Sequence, residues 1–323
     1  MTEIPPVGHQ PPEHPTRQVA GWQRRVIDNF AYAALDEQRR ARRWGIFFKL
    51  LAFAYLFALL LVYRPGGIGG IMAPGKHTAL IDVRGVIADD AEASADNIVS
   101  GLRAAFEDKD SAGIILRINS PGSSPVQAGY INDEIVRLRE NYPDKKVYAV
   151  ITDICASGGY YIAAAADAIY ADKASVVGSI GVLMDGFGFV GSLEKLGVER
   201  RLLAAGENKG FLDPFSPLKP KDVEHAQGLL KEIHDQFINT VKRGRRERLK
   251  EDDKLYSGLV WTGVQALELG LVDSLGSSSY VAREVIKAEE IVDYTPREPY
   301  LNRVARRLGA ALAESLAGRV SLR

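Results

Sequence analysis

From Trp44 to Tyr63 the chain is apolar around the whole circumference of the helix it would form, with one charge, Lys49, inside the run. At about 1.5 Å per residue, roughly 20 residues reach the ~30 Å of a bilayer's hydrocarbon core. Residues 44–64 are therefore predicted to form a transmembrane helix. Lys49 lies just over one turn from Arg42 and Arg43 and can snorkel towards them, while Trp44 and Tyr63 take the interfacial positions. A buried core helix is the alternative, but arginines at both ends, Arg64 included, suit a span better. Before it, Pro5, Pro6, Pro11, Pro12 and Pro15 mark a tail with little to pack, and residues 1–43 are expected to be disordered and basic. After it, a Gly/Pro-rich tether is predicted over 65–75.

Beyond the tether the pattern switches to short apolar runs alternating with helical periodicity. Strands are predicted at His77–Arg84 and Val86–Ile87 around Gly85, at Gly113–Ile118, at Lys146–Thr152, at Ala168–Ala171, over Ser175–Leu183 and at Glu199–Leu203. Helices are predicted over Ala91–Phe106, over Val126–Glu140 with Ile131, Ile135 and Leu138 on one face, up to Leu196 before Gly197, over Lys219–Lys250, and over Val264–Leu269 before Gly270. This β-α-β-α order implies a layered α/β domain with largely parallel strands, placed at 76–299. A basic amphipathic tail over 300–323, with Val304, Leu308, Leu312 and Leu316 in register, would either meet anionic lipid or fray.

Charge and composition narrow the functional classes. Forty-one basic and forty-one acidic residues leave no net charge to attract nucleic acid. The arginines cluster ahead of the apolar run, which predicts a cytoplasmic N-terminus and an exported domain on the far side of an inner membrane. A cleaved signal peptide is not expected, because some forty residues precede the run. Cys155 is the only cysteine, which excludes an intrachain disulfide and a cysteine-based zinc site. No HExxH, phosphate loop or dinucleotide fingerprint occurs, so neither a cofactor nor a metal is expected. His9 and His14 fall in the N-terminal tail, and His225 and His234 lie on different faces of one helix, so a histidine-based triad is not supported.

The candidate chemistry lies where the apolar run ending at Ile151 breaks at Ala156-Ser-Gly-Gly159 and resumes as an alanine-rich helix. A strand turning sharply into a helix places Ser157 where an exposed nucleophile would sit, with the Gly158 N–H available to a developing oxyanion. The plainer reading is an N-cap serine. Lys209 sits in a Gly- and Pro-containing loop, where most lysines are simply solvated. A free lysine, with a pKa of about 10.4, cannot accept a proton near neutrality, whereas burial disfavours its ammonium and makes it a usable base.

Six motifs follow one another in order: Arg117-Ile-Asn-Ser-Pro-Gly122, Ala156-Ser-Gly-Gly-Tyr-Tyr161, Gly178-Ser-Ile-Gly-Val182, Leu193-Glu-Lys-Leu-Gly197, Lys209 with Pro214-Phe-Ser-Pro217, and Trp261 to Asp273. Together they resemble the S49 peptidases, in the short, single-repeat form of the signal peptide peptidase A type, over roughly Leu80 to Gly276. The resemblance implies a ClpP/crotonase-like fold and a serine–lysine dyad that degrades remnant signal peptides after their release. It assigns Ser157 as nucleophile, Lys209 as general base and Ser179 as the residue that orients the lysine. It also assigns an oxyanion hole to Gly158 and to the loop around Gly122. The sequence departs from the family at Ser123, where a second glycine is usual, and at Asn208, where an aromatic residue commonly precedes the lysine. The resemblance further implies a homo-oligomer whose dyad is shared between subunits, acting on apolar signal peptides or membrane proteins at the bilayer. Phe187 and Phe189 would line the peptide groove or pack in a core. The alternative function is a non-catalytic oligomeric membrane scaffold on the same fold.

Overall fold

A computed structural model describes residues 37–40, 42–59, 75–250 and 252–296. The proline-rich tail and nearly all of 1–43, residues 60–64 of the predicted span, the tether before Gly75 and the C-terminal tail at 300–323 lie outside the described residues. Contacts divide the chain into two units, Met1–Ala73 and Pro74–Arg323. In the first, residues 42–59 form helix α1 with its large apolar side chains exposed. This helix carries Arg42, Arg43 and Lys49, and among the described residues no helix is long and apolar enough to cross a membrane.

The second unit is built on one sheet. Its strands are β1 (His77–Ile87), β2 (Ser111–Ser123), β3 (Val147–Ala156), β4 (Ala168–Ala171), β5 (Val176–Gly178), β6 (Val260–Thr262), β7 (Ser274–Leu275) and β8 (Ile291–Asp293). The main path runs β6-β5-β3-β2-β1-β8, with β4 and β7 continuing from the first half of β3. Every pairing is parallel except β5 with β6. β3 therefore divides its edge: Tyr148–Ile151 pair with β4, while Ile154–Ala156 pair with β5. That split leaves the end of β3, and the turn after it, beside the end of β5.

Strand alternation sorts the side chains onto two faces. Ile81, Val83, Ile114, Leu116, Ile118, Val147, Ala149 and Ile151 point to one face, which is covered by four helices. These are α2 (Ala95–Glu107), α3 (Pro125–Asn141), α4 (Gly158–Ala163) and α6 (Pro220–Arg245). Leu80, Ile115 and Val150 point the other way, under Val281 and Ala282 of the helical segment that follows Tyr280. The layered α/β prediction therefore holds. The two short strands expected around Gly85 are one, β1, which bulges where Gly85 takes φ 81°. The strand expected at Glu199–Leu203 is absent: these residues are irregular, with Leu203 96% exposed. An apolar pair there matches the strand pattern but has no sheet edge to join.

Candidate active site

β3 delivers Cys155 and Ala156 into the interior and then reverses at Ser157. Ser157 takes φ 51° and ψ −121°, a conformation that a side-chain-bearing residue rarely adopts. Its N–H donates to Gly178 O at 2.8 Å, which ties the turn to the end of β5. Although Ser157 is the N-cap of α4, its hydroxyl makes no cap hydrogen bond, so the N-cap reading does not account for the side chain. Tyr161 is the first residue of the turn whose N–H bonds back, to Ser157 O at 3.0 Å. The Gly158 N–H is thus left without a partner among the described residues. Because α4 is only six residues long, the anion-binding argument rests on this single N–H rather than on a helix dipole.

The Arg117–Gly122 motif supplies the opposing wall. Gly122 has φ 94°, and a Cβ there would come within 2.6 Å of Gly158 N, 2.7 Å of Ala156 O and 2.8 Å of Ser157 Cβ. Only glycine lets these two backbones approach so closely. Within the loop expected to supply the second donor, the Gly122 N–H donates to the buried Ser120 hydroxyl, 3.1 Å away. Ser124 N donates to Ile87 O of β1, and Ser123 N lies 3.5 Å from where a Gly158 Cβ would stand. Ser123 itself holds φ 138°.

Ser179 completes this side. It follows Gly178, has φ 53°, and its N–H donates to Leu259 O at 2.7 Å. The Trp261 ring is packed so closely on Gly178 that a Cβ there would meet it at 2.7 Å, which fixes the end of β5 under the turn. Three serines with positive φ therefore surround one turn, out of six such non-glycine residues in the described chain.

Behind the turn, α4 is held by polar contacts from three elements. Tyr160 Oη donates to Leu271 O at 2.7 Å, Asn132 Nδ2 to Tyr161 O at 2.7 Å, and Thr240 Oγ1 to Tyr161 Oη at 3.0 Å. Arg245, 1% exposed, donates to Gly270 O and forms a two-pronged pair with Asp273 at 2.7 and 2.9 Å. Burial pushes the Asp273 carboxyl up, but its bonds to Arg245 and the Ile169 N–H, with the Arg248 charge, hold it below the usual range. Burial alone raises the Cys155 thiol, leaving it a packed apolar residue two positions from Ser157.

The structure brings Ser157, Gly158, Gly122 and Ser179 together; Lys209 belongs to a different segment of the chain. It is exposed in a loop between α5 (Val190–Leu196) and α6, its N–H donating to Gly206 O at 3.1 Å. No hydrogen bond or ion pair joins its side chain to Ser157 or Ser179. The surrounding segment is poor in internal packing, since α5 buries no residue and Leu183, Phe187, Leu196 and Leu218 are exposed. Phe187, Phe189 and Phe215 form a small aromatic chain within it, with Arg200 over the Phe215 ring.

Comparison with known proteins agrees with the motif order. Residues 139–292 match the model of Peptidase family S49. The chain is 49% identical over 175 residues to the Na(+)/H(+) antiporter NhaA of Brucella melitensis, a match covering 54% of this chain but 24% of that protein. It thus spans about a quarter of that relative's length. It is 32% identical over 231 residues to the putative signal peptide peptidase SppA of Enterococcus faecium, covering 69% of this chain and 67% of that one. With the putative protease slr0021 of Synechocystis it shares 35% identity over 202 residues, covering 62% and 70%. Covered to that extent at that identity, with the family model spanning the turn at Ser157, the chain belongs to peptidase family S49.

Proposed function

We propose that this protein is a membrane-anchored serine endopeptidase that degrades remnant signal peptides after their release from exported proteins. The single observation that carries the reading is the turn itself. Ser157 sits on strained backbone with a hydroxyl that, like the Gly158 N–H, has no partner among the described residues, against a glycine whose added Cβ would meet main chain at under 3 Å. Ser157 Oγ attacks the scissile carbonyl as Lys209 Nζ takes its proton. The developing oxyanion accepts from the Gly158 N–H and from an N–H of the loop around Gly122. Lys209 then returns the proton to the departing amine, and water, activated in the same way, releases the acyl group from Ser157. Ser179 Oγ orients the lysine.

A lysine surrounded by water keeps its proton, so Lys209 becomes a base only when something covers it. A second copy of the chain is the cover we favour. The unpartnered apolar side chains around the Lys209 loop suit an interface between subunits, with the lysine of one reaching the serine of the next. Residues 44–64 anchor the protein in the inner membrane, with the catalytic domain on the exported side. The Enterococcus faecium relative, a putative signal peptide peptidase, supports the substrate class. Apolar, extended peptides of that kind would pair along the Gly122–Ser123 edge and rest on Phe187 and Phe189.

A fluorophosphonate probe should label Ser157 of the detergent-solubilised protein, and Lys209→Ala should suppress labelling. Mixing Ser157→Ala with Lys209→Ala chains should restore part of the activity. An unlabelled Ser157 in the assembled wild type would leave the scaffold as the surviving function. Absence of rescue in confirmed mixed assemblies would place both groups within one chain.

A further inference from the structure

The main chain that carries Ser179 is held from three directions. The Ser179 N–H donates to Leu259 O at 2.7 Å, and one residue on, Ile180 O accepts from Gly258 N at 3.1 Å. The third bond comes from α6: His234 Nε2 lies 3.2 Å from the same Ile180 O. A carbonyl oxygen only accepts, so Nε2 carries the proton and donates it. The main-chain dihedrals of Ser179 and Ile180, φ 53° at Ser179 among them, therefore lie between two fixed groups. Such support matters, because a side-chain-bearing residue at positive φ keeps that conformation only where its surroundings over-determine it. Further along the chain there is less to hold the segment, since residues 181–189 are irregular and Leu183 is exposed.

His234 shares one side of α6 with Phe237 and Thr240, about one and two turns on. The Phe237 ring packs 5.2 Å from that of Tyr161, and Thr240 Oγ1 donates to the Tyr161 hydroxyl. Tyr161 belongs to α4, whose N-cap is Ser157. A single 26-residue helix thus touches both the element that starts at the nucleophile and the segment that carries Ser179. We propose that His234 is a positioning residue. By donating to Ile180 O it fixes the backbone under Ser179, and with it the direction in which the Ser179 hydroxyl meets the lysine amine. It acts through Ser179 and touches neither substrate nor the reacting atoms.

This inference rests on Ser179 orienting Lys209, and the test separates the two. His234→Leu and His234→Ala remove the donor, whereas His234→Gln places an amide N–H close to where Nε2 stood. Each is made in the full-length protein, in the wild-type and the Ser179→Ala backgrounds. The readouts are kcat and KM on an apolar peptide, the rate of fluorophosphonate labelling at Ser157, and the unfolding temperature. His234→Leu and His234→Ala should lower kcat and labelling rate by about three- to ten-fold with KM little changed, and His234→Gln should recover most of the loss. In the Ser179→Ala background the same changes should have almost no further effect, because the group they position is gone. Equal losses in both backgrounds, or a His234→Gln protein as slow as His234→Leu, overturn the proposal, as does wild-type turnover in His234→Ala. If Ser179→Ala itself turns over like wild type, the role given to Ser179 fails and takes this one with it. If Ser179→Ala is slow and the His234 variants are not, only the role of His234 fails.

Discussion

Gly122→Ala tests the geometry of the turn most directly, because its cost has two separable parts. The backbone at φ 94° disfavours any side chain, at about 1–3 kcal/mol. The added methyl would also meet Gly158 N at 2.6 Å, Ala156 O at 2.7 Å and Ser157 Cβ at 2.8 Å. All three lie on or next to main chain that the sheet and α4 hold in place. Overpacking of that kind costs about 1–3 kcal/mol, so the sum is roughly 2–6 kcal/mol. At about 2–4 °C per kcal/mol for a domain of this size, the unfolding temperature should fall by roughly 5–20 °C. Where the protein still folds, Gly158 N must retreat by several tenths of an ångström, and labelling of Ser157 should drop by about 10²-fold. Gly158→Ala is the internal control. A Cβ at Gly158 would find Ala128 Cβ at 3.4 Å and Gly122 Cα and Ser123 N at 3.5 Å, which are ordinary contacts. Differential scanning fluorimetry and probe-labelling rates on both variants decide the matter. If Gly122→Ala and Gly158→Ala unfold at the same temperature and label equally fast, the close approach described here is not the one the protein adopts.

Two further outcomes are expected away from the reacting atoms. Arg245→Ala should destabilise the fold by about 3–5 kcal/mol, measured by denaturant unfolding, because it leaves the carboxylate of Asp273 without its buried partner. Asp273→Asn in that background should recover part of the loss. The Arg137 hydrogen bond, with Arg103 assisting and against burial, draws the Glu134 carboxyl down from 4.5 to about 2. A carboxylate depressed on folding adds stability above its unfolded value, lost as pH falls from about 4.5 towards 2. Glu134→Gln should therefore flatten the acid side of an unfolding-temperature profile between pH 5 and pH 2.5. A variant as acid-sensitive as wild type would show that the half-exposed arginines contribute nothing.

The parts of this fold that the sequence announces are those written in consecutive residues. The apolar run of β3 followed by Ala156-Ser-Gly-Gly159 specifies a strand, a sharp turn and a helix, and α3 shows its buried stripe of Ile131, Ile135 and Leu138 by spacing alone. What escaped depends on neighbours distant in the chain. The extended run expected to reach Leu183 ends at Gly178, because positive φ at Gly178 and Ser179 turns the backbone away. That the Gly122 N–H goes to the Ser120 hydroxyl and the Ser124 N–H to Ile87 is set by the fold, and no residue type records it. Arg245 is one of six basic residues between Lys242 and Lys250. Only the fold, which brings Asp273 and Gly270 to it, makes it the buried one. Leu202 and Leu203 resemble a strand because an exposed apolar surface and a buried one have the same composition.

The two halves of the proposed dyad differ in how firmly each is built. Positive φ at Ser157 survives because the surroundings over-determine it: Gly178 O fixes its N–H, Gly122 blocks one side, and Tyr160, Asn132 and Thr240 hold α4 from behind. Lys209 has no comparable frame. Its loop is exposed, the helix before it buries nothing, and it is tied to α6 by a 3.4 Å bond from Leu212 N to Asp222 and an edge-on contact of Phe211 with His225. A nucleophile can be set in advance because strain carries no chemical risk until a base arrives. A base set in advance would make every isolated chain a protease. If the lysine comes from a neighbour, activity scales with assembly, and dilution in detergent should abolish turnover well before it unfolds the domain.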